Sequence, residues 1–213
     1  MKQQGFGFLV LFNGRLDSEL KTSDPAKFGT MDGRAAVAAA AKEGFPKNVL
    51  IFLDQEEGGR LFSEQIAYIF AWADEVRSAG ARAGIYCSGI DVPDGQTTIS
   101  TARDIAAHEK ARIAARKLDT SSAHHGSLAL WIVNDECPPS PGCTSTRELP
   151  TVGLASPGVV VWQYVRSPIT QFGAACRKTY APDGNCYASG LPPTTATFLD
   201  LDVASSANPS ETP

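Results

Sequence analysis

Short apolar runs recur along the chain, and most are apolar at consecutive positions rather than at alternate ones. Phe6 to Phe12 (FGFLVLF), Val49 to Leu53 (VLIFL), Ala81 to Tyr86 (ARAGIY), Leu128 to Val133 (LALWIV), Val159 to Tyr164 (VVVWQY) and Phe198 to Val203 (FLDLDV) predict six strands. Consecutive apolar positions are the mark of strands covered on both faces, as in a parallel sheet flanked by helices. Three stretches with helical spacing lie between them. Gly33 to Glu43 is alanine-rich, with Asp32 positioned to cap its start and Gly44 its end. Leu61 to Ala79 repeats Phe62, Ile66, Ile69, Phe70, Ala73 and Val76 at three- and four-residue steps, and Thr101 to Leu118 carries Ile105, Ala106, Ile113 and Ala114 between charges. The order strand–helix–strand, repeated and closed by two further strands, predicts an α/β fold with right-handed crossovers.

After Val133 the helical pattern fades. Residues 134–157 and 166–197 are rich in Pro, Gly, Ser and Thr and are expected as long loops, while the polar run 204–213 (ASSANPSETP) reads as a tail or linker. The domain is therefore expected over residues 1–203. No internal repeat is visible.

Composition narrows the function classes. Nineteen Lys and Arg against 23 Asp and Glu leave a net charge of −4, which disfavours nucleic acid or an anionic membrane as the main partner. No apolar run reaches the roughly 18–20 residues that span a bilayer. Met1 to Gln4 leads straight into the first apolar run, too short for a secretory signal. Four of the five cysteines form two local pairs, Cys137 with Cys143 and Cys176 with Cys186, inside turn-rich segments. Two disulfides there would staple loops that lack a helix, and would suit an exported or cell-surface protein. A zinc site drawing on Cys137, Cys143, His124 and His125 is the other reading, although the spacings depart from the usual patterns. Cys87 ends an apolar strand and reads as a buried free thiol. No Gly-x-Ser-x-Gly elbow occurs, Gly58-Gly59-Arg60 lacks the fuller glycine pattern of a phosphate loop, and the three histidines read as surface groups. No cofactor is implied.

The most informative segment is Val49 to Gly59 (VLIFLDQEEGG), in which an apolar strand ends in a cluster of acids. In parallel α/β folds the C-terminal strand ends open into the active-site crevice. Positions i and i+2 of a strand share a face, so Asp54 and Glu56 are expected to project together with Gln55 opposite. Two close carboxylates drive their proton affinities apart, leaving one as an acid and the other charged, which is the equipment for cleaving a glycosidic bond. A solvated acidic loop before a helix is the plainer reading. Other strand ends bear on the choice: Tyr86, Trp131, the run Trp162-Gln163-Tyr164, and Asp200-Leu201-Asp202 supply aromatics, an amide and carboxylates. Ring faces that stack on sugars beside groups that bind hydroxyls suit a glycan site.

These residues also carry a family resemblance. The run from Gly33 to Tyr86, with its alanine-rich helix, Gly-Phe-Pro, acid-ended strand, aromatic helix and Gly-Ile-Tyr, resembles the glycoside hydrolase family 25-type lysozymes, and more closely the related DUF1906 glycoside-hydrolase-like domains. Trp131, Trp162-Gln163-Tyr164 and Asp200-Leu201-Asp202 are similar to later strand ends of that family. The resemblance covers most of residues 5–203. It implies a TIM-barrel-like (β/α) barrel acting on cell-wall glycan of the peptidoglycan type. Glu56 would be the proton donor, Asp54 would orient or stabilise the sugar, and Asp200 would be a further site carboxylate. Tyr86, Trp131, Trp162, Gln163, Tyr164 and Asp202 would bind substrate. Asp202 stands where the family often has Asn. The family's first strand, which bears another active-site Asp, has no counterpart here, and Phe6 to Phe12 corresponds to its third. Since a full barrel takes about 250 residues, the expectation is one barrel lacking its first two βα units. A non-catalytic carbohydrate-binding or cell-surface domain that keeps the barrel cleft is the alternative.

Overall fold

Buried apolar runs become strands here because both of their faces find cover. The computed structural model describes residues 6–21, 24–116, 127–135, 152–167 and 199–210. In chain order it contains β1 (Val10–Phe12), α1 (Asp17–Leu20), α2 (Pro25–Lys42), β2 (Leu50–Gln55), α3 (Ser63–Ser78), β3 (Arg82–Ser88), β4 (Val92–Asp94), β5 (Thr97–Ile99), α4 (Thr101–Arg116), β6 (Ala129–Val133), a 3-10 turn (Val152–Ala155), β7 (Val159–Val165) and β8 (Leu201–Ala204). Six strands form one sheet in the order β1-β2-β3-β6-β7-β8. The first five run parallel, and β8 returns antiparallel along β7.

The sheet curls into a half-barrel. Leu50 and Phe52 of β2, Tyr86 of β3, Trp131 of β6, Val161 of β7 and Ala204 of β8 gather into one apolar cluster. Although β3 lies between them, β2 and β6 bring Cα atoms within 8 Å of each other, closer than the roughly 9.6 Å of a flat sheet, so the sheet is curved and this face is concave. The alternate residues, among them Ile51, Leu53, Ile85 and Ile132, face the larger core on the convex side, where α3 contributes Tyr68, Ile69, Trp72 and Val76. Between α2 and α3 the backbones approach closely. A Cβ on Gly29 would lie 2.3 Å from the Tyr68 carbonyl oxygen, and one on Gly33 would lie 2.9 Å from that of Trp72.

All six expected strands are present, and several features depart from expectation, among them the short helix α1 and the 3-10 turn. Helix α2 begins at Pro25 rather than Gly33, with Asp24 as the cap accepting a hydrogen bond from the Lys27 amide at 3.1 Å. Pro at the first helical position is preorganised for that start, and Asp32 falls mid-helix. A hairpin, β4–β5, intervenes before α4; its strands are three residues each, and the turn depends on Gly95 at φ +63°. Strand β8 is antiparallel, where an ideal barrel would have it parallel. Finally, the run after β8 is not a loose tail over residues 205–210. Ser205 N donates to the Val160 carbonyl at 2.8 Å, the Asn208 side chain accepts from Phe8 N at 3.0 Å, and Ser210 is fully buried. The Ser210 hydroxyl accepts from Val10 N at 3.2 Å, and its carbonyl accepts from Leu50 N at 2.8 Å and Arg82 Nη2 at 3.0 Å. The segment thus straps the N-terminal rim from β7 across to β1 and β2.

Candidate functional site

At the opposite rim, the concave face presents one polar or aromatic side chain from each of five strands. Parallel register sets Asp54 of β2 beside Tyr86 of β3, and Tyr86 beside Trp131 of β6. Gln163 of β7 pairs with Asp202 of β8. Because β8 runs antiparallel, its first residues meet the C-terminal ends of the other strands, so the reversal still delivers carboxylates to this rim. Tyr86 Oη donates to Gln163 Oε1 at 2.7 Å, and Trp131 Nε1 donates to Asp202 Oδ1 at 2.7 Å. The Trp131 ring meets Tyr86 edge-to-face at 4.9 Å and Phe52 at 5.6 Å, a geometry that favours aromatic quadrupoles. Gly84 leaves the space for Phe52: a Cβ there would meet the Phe52 ring at 2.6 Å.

Carboxylates surround the tyrosine. Burial raises the Tyr86 hydroxyl far above its ordinary range, and the charges of Asp54, Asp200, Asp202 and Glu56 raise it further. Half-buried Asp54 has its carboxyl pushed up to about 6 by desolvation and then by the charge of Glu56. Its Oδ1 is buried without a hydrogen-bond partner among the described residues. Asp202 is also pushed up to about 6. The cause is mainly the walls of the concave mouth, which strip hydration from a group still open to solvent on one side. The Trp131 N–H opposes this and the Asp200 charge adds to it. Asp200 itself is exposed and accepts from Ser167 N at 2.9 Å.

The structure divides the residues expected at the site. Asp54, Tyr86, Trp131, Gln163 and Asp202 share the concave face, with Glu56 exposed just past the end of β2 and Asp200 at the mouth. Trp162 and Tyr164 do not join them. Both belong to the convex core, their rings 5.7 Å apart, and Trp162 Nε1 donates to the Asn134 carbonyl at 3.1 Å. Strand alternation forces this: once Gln163 points inward, its two neighbours must point outward.

Glu57, at the end of the acidic run, has a structural task, accepting from Asp17 N at 3.0 Å and Gln65 Nε2 at 2.6 Å. Sequence reasoning did not single out the turn after β1. Asn13–Leu16 and the segment Asp54–Glu57 enclose a cavity of about 270 Å³ beside Asp54. Below it, Arg15 grips both oxygens of Asp32 at 2.6 and 2.9 Å while Tyr68 Oη donates to the same carboxylate at 2.9 Å. The polar break Asn13-Gly14-Arg15 after an apolar strand was the available signal.

The remaining expectations lie elsewhere. Cys87 is a free, fully buried thiol, pushed up to about 12 by desolvation and so inert as a nucleophile. Cys137, Cys143, Cys176, Cys186, His124 and His125 fall outside the described residues. Among the described residues no three His, Cys, Asp or Glu groups are placed to hold a metal ion, and no helix is long and apolar enough to cross a membrane.

Comparison with known proteins places the chain in a family. The chain is similar to the crystal structure of an uncharacterized B. stearothermophilus protein, at 25% identity over 78% of this chain and 67% of that one, with a TM-score of 0.48. No curated protein matches the chain. Residues 1–129, more than half of the chain and including β1 to α4 with the acid-ended β2, match the description "Rv2525c-like, glycoside hydrolase-like domain". The chain belongs to this glycoside-hydrolase-like family, also known as DUF1906.

Proposed function

We propose that the chain is a glycoside hydrolase acting on cell-wall glycan of the peptidoglycan type, at the cell surface or outside it, on a partial (β/α) barrel. The observation that carries this reading is the concave layer of Asp54, Tyr86, Trp131, Gln163 and Asp202, with Glu56 at its edge. Trp131 and Tyr86 offer ring edges and faces to a sugar, and Gln163 and Asp202 offer acceptors to its hydroxyls.

The proton assignment that fits this geometry reverses the one the resemblance implies. Asp54, raised to about 6 and with an oxygen that has no hydrogen-bond partner among the described residues, keeps its proton to higher pH than an ordinary carboxyl and can deliver it to a leaving-group oxygen. Glu56, whose charge helps keep that proton in place, is the carboxylate that supports the developing positive charge or activates water. Asp200, at the mouth, tunes Asp202 rather than touching the reacting bond.

Incubating the full chain with purified peptidoglycan and identifying fragments by mass spectrometry tests this. New reducing ends are expected, with Asp54→Asn and Glu56→Gln each lowering the rate by about 10²-fold or more. An unchanged rate in either variant removes that residue from the chemistry. The exposed position of Glu56 favours a second reading, a carbohydrate-binding domain without hydrolysis. Binding of glycan fragments with no product after long incubation would select it.

A further inference from the structure

Glu57 stands one residue beyond Glu56, and its hydrogen bonds to Asp17 and Gln65 fall on a single oxygen. Oε2 accepts from Asp17 N, at the start of α1, and from Gln65 Nε2, in the first turn of α3. Gln65 is itself fixed, being 2% exposed, and its Oε1 accepts from Phe62 N at 2.9 Å. The Glu57 carboxylate therefore joins three pieces of backbone: the acid loop after β2, the start of α1 and the start of α3. This tie links the two walls of the cavity beside Asp54, which are Asn13–Leu16 with Glu19 and Asp54–Glu57. The first wall is firmly mounted. A Cβ on Gly14 would lie 2.0 Å from the Asp54 carbonyl oxygen, and Arg15 is gripped by Asp32 with its guanidinium 4.1 Å above the Phe28 ring. The second wall is anchored farther along, where Thr101 Oγ1 donates to the Gly59 carbonyl at 2.9 Å and Arg60 Nη1 to buried Asp104 at 3.2 Å. Glu56 lies exposed on the stretch between β2 and those anchors. Both causes that push Asp54 up, burial and then the charge of Glu56, depend on where that stretch sits.

We propose that Glu57 is a positioning residue for the acid pair: by tying α1 and α3 to the loop after β2, it holds Glu56 beside Asp54 and keeps the cavity walls closed on Asp54. Its weight in catalysis rests on the reading of Asp54 and Glu56 above, whereas the tie itself belongs to the fold. Groups that set a reacting pair need such support to keep it within working distance. The role requires reach rather than charge. A glutamine keeps the length and offers one amide oxygen with two lone pairs to both donors, while an aspartate keeps the charge and is one methylene too short. The other charged or titratable groups around Asp54 are Glu56, Arg15 and Glu19 in the cavity lining and Tyr86 beside it on β3, and all of them stay in place in both substitutions.

The test is an NMR titration of the Asp54 carboxyl in the full chain, with exchange of the Asp17 amide and turnover of peptidoglycan measured beside it. In Glu57→Asp the Asp54 midpoint is expected to fall from about 6 toward the ordinary carboxylate range. The Asp17 amide should exchange about tenfold faster, and turnover should drop about tenfold or more, because a small misplacement of a reacting group suffices for that. In Glu57→Gln the midpoint is expected to hold and both rates to stay within about threefold of the parent. An Asp54 midpoint that does not move in Glu57→Asp overturns the proposal. An equal fall in the two variants overturns it as well, since charge and not reach would then be the cause. Gln65→Met, which removes the α3 donor with no change of charge, is the second variant should Glu57→Asp not fold, and the same fall in the Asp54 midpoint is expected of it. A parent chain that leaves peptidoglycan intact overturns the glycan reading alone, and the titration and exchange still decide the tie.

Discussion

Trp131 serves the candidate site twice, with its ring edge-on to Tyr86 and Phe52 and its N–H on Asp202. Replacing it with Phe keeps most of the ring and deletes the donor. The Trp131 hydrogen bond favours the ionised form of Asp202, so in Trp131→Phe the Asp202 carboxyl should titrate above its value of about 6, as NMR of the side-chain carboxyl would read. Asp54 makes a different prediction. Its carboxyl is raised from an unfolded value near 3.8 to about 6, so the folded state holds the proton more tightly than the unfolded one. Stability must therefore fall as pH rises from about 4 to about 6, and the penalty is complete above that. Asp54→Asn should be more stable than the parent at pH 7 by about 1 kcal/mol, a figure reduced for the solvent that reaches this half-buried group, and no more stable at pH 3.5. Urea melts at the two pH values measure it. A variant less stable than the parent at pH 7 would mean that the charged carboxylate is favoured by the fold. Combined with the expected loss of hydrolysis, a stabilised Asp54→Asn would show the site maintained at a cost to the fold.

Among the elements, the α2–α3 pair holds the helical layer against the convex sheet face, and its closeness depends on two missing side chains. Ala is the better helix former by up to about 1 kcal/mol. In Gly29→Ala, however, the new methyl would stand 2.3 Å from the Tyr68 carbonyl oxygen, with backbone rather than a pliant side chain in the way. The expected net effect is destabilisation by about 1–3 kcal/mol, read as a lowered Tm. Gly33→Ala, facing the Trp72 carbonyl at 2.9 Å, should be milder. Tyr68 also links this packing to the rim, because its hydroxyl and Arg15 share Asp32. Separating the helices should thus loosen the turn after β1 that walls the cavity beside Asp54.

For the whole molecule, the unusual device is the strap over residues 205–210. It answers donors on Phe8, Val10, Leu50 and Arg82, binding the first strands to the end of the chain. Shortening the chain to end at Ala204 should cost about 2 kcal/mol or more, since at least three backbone amides lose their acceptors. Hydrogen exchange should report it locally, with protection lost at Phe8, Val10 and Leu50 before the amides of β3 and β6. Unchanged protection at those three would show that the strap contributes nothing. Much of this architecture was legible in the sequence, because the signals were local. Runs such as VLIFL and VVVWQY are apolar whatever they pack against, and the helical repeat in Leu61–Ala79 is visible without a partner. Acids and aromatics at strand ends marked the candidate rim for the same reason. What the tertiary structure alone decided depends on assembly. Alternation requires Gln163 to oppose Trp162 and Tyr164, but only the curl of the sheet determines which of them faces the concave side. Residue spacing pairs Asp54 with Glu56, yet it is Asp54 whose carboxyl is pushed up to about 6, because desolvation belongs to the walls around it. Composition reads 204–213 as polar tail, and it is the unanswered amides on β1 and β2 that turn residues 205–210 into structure.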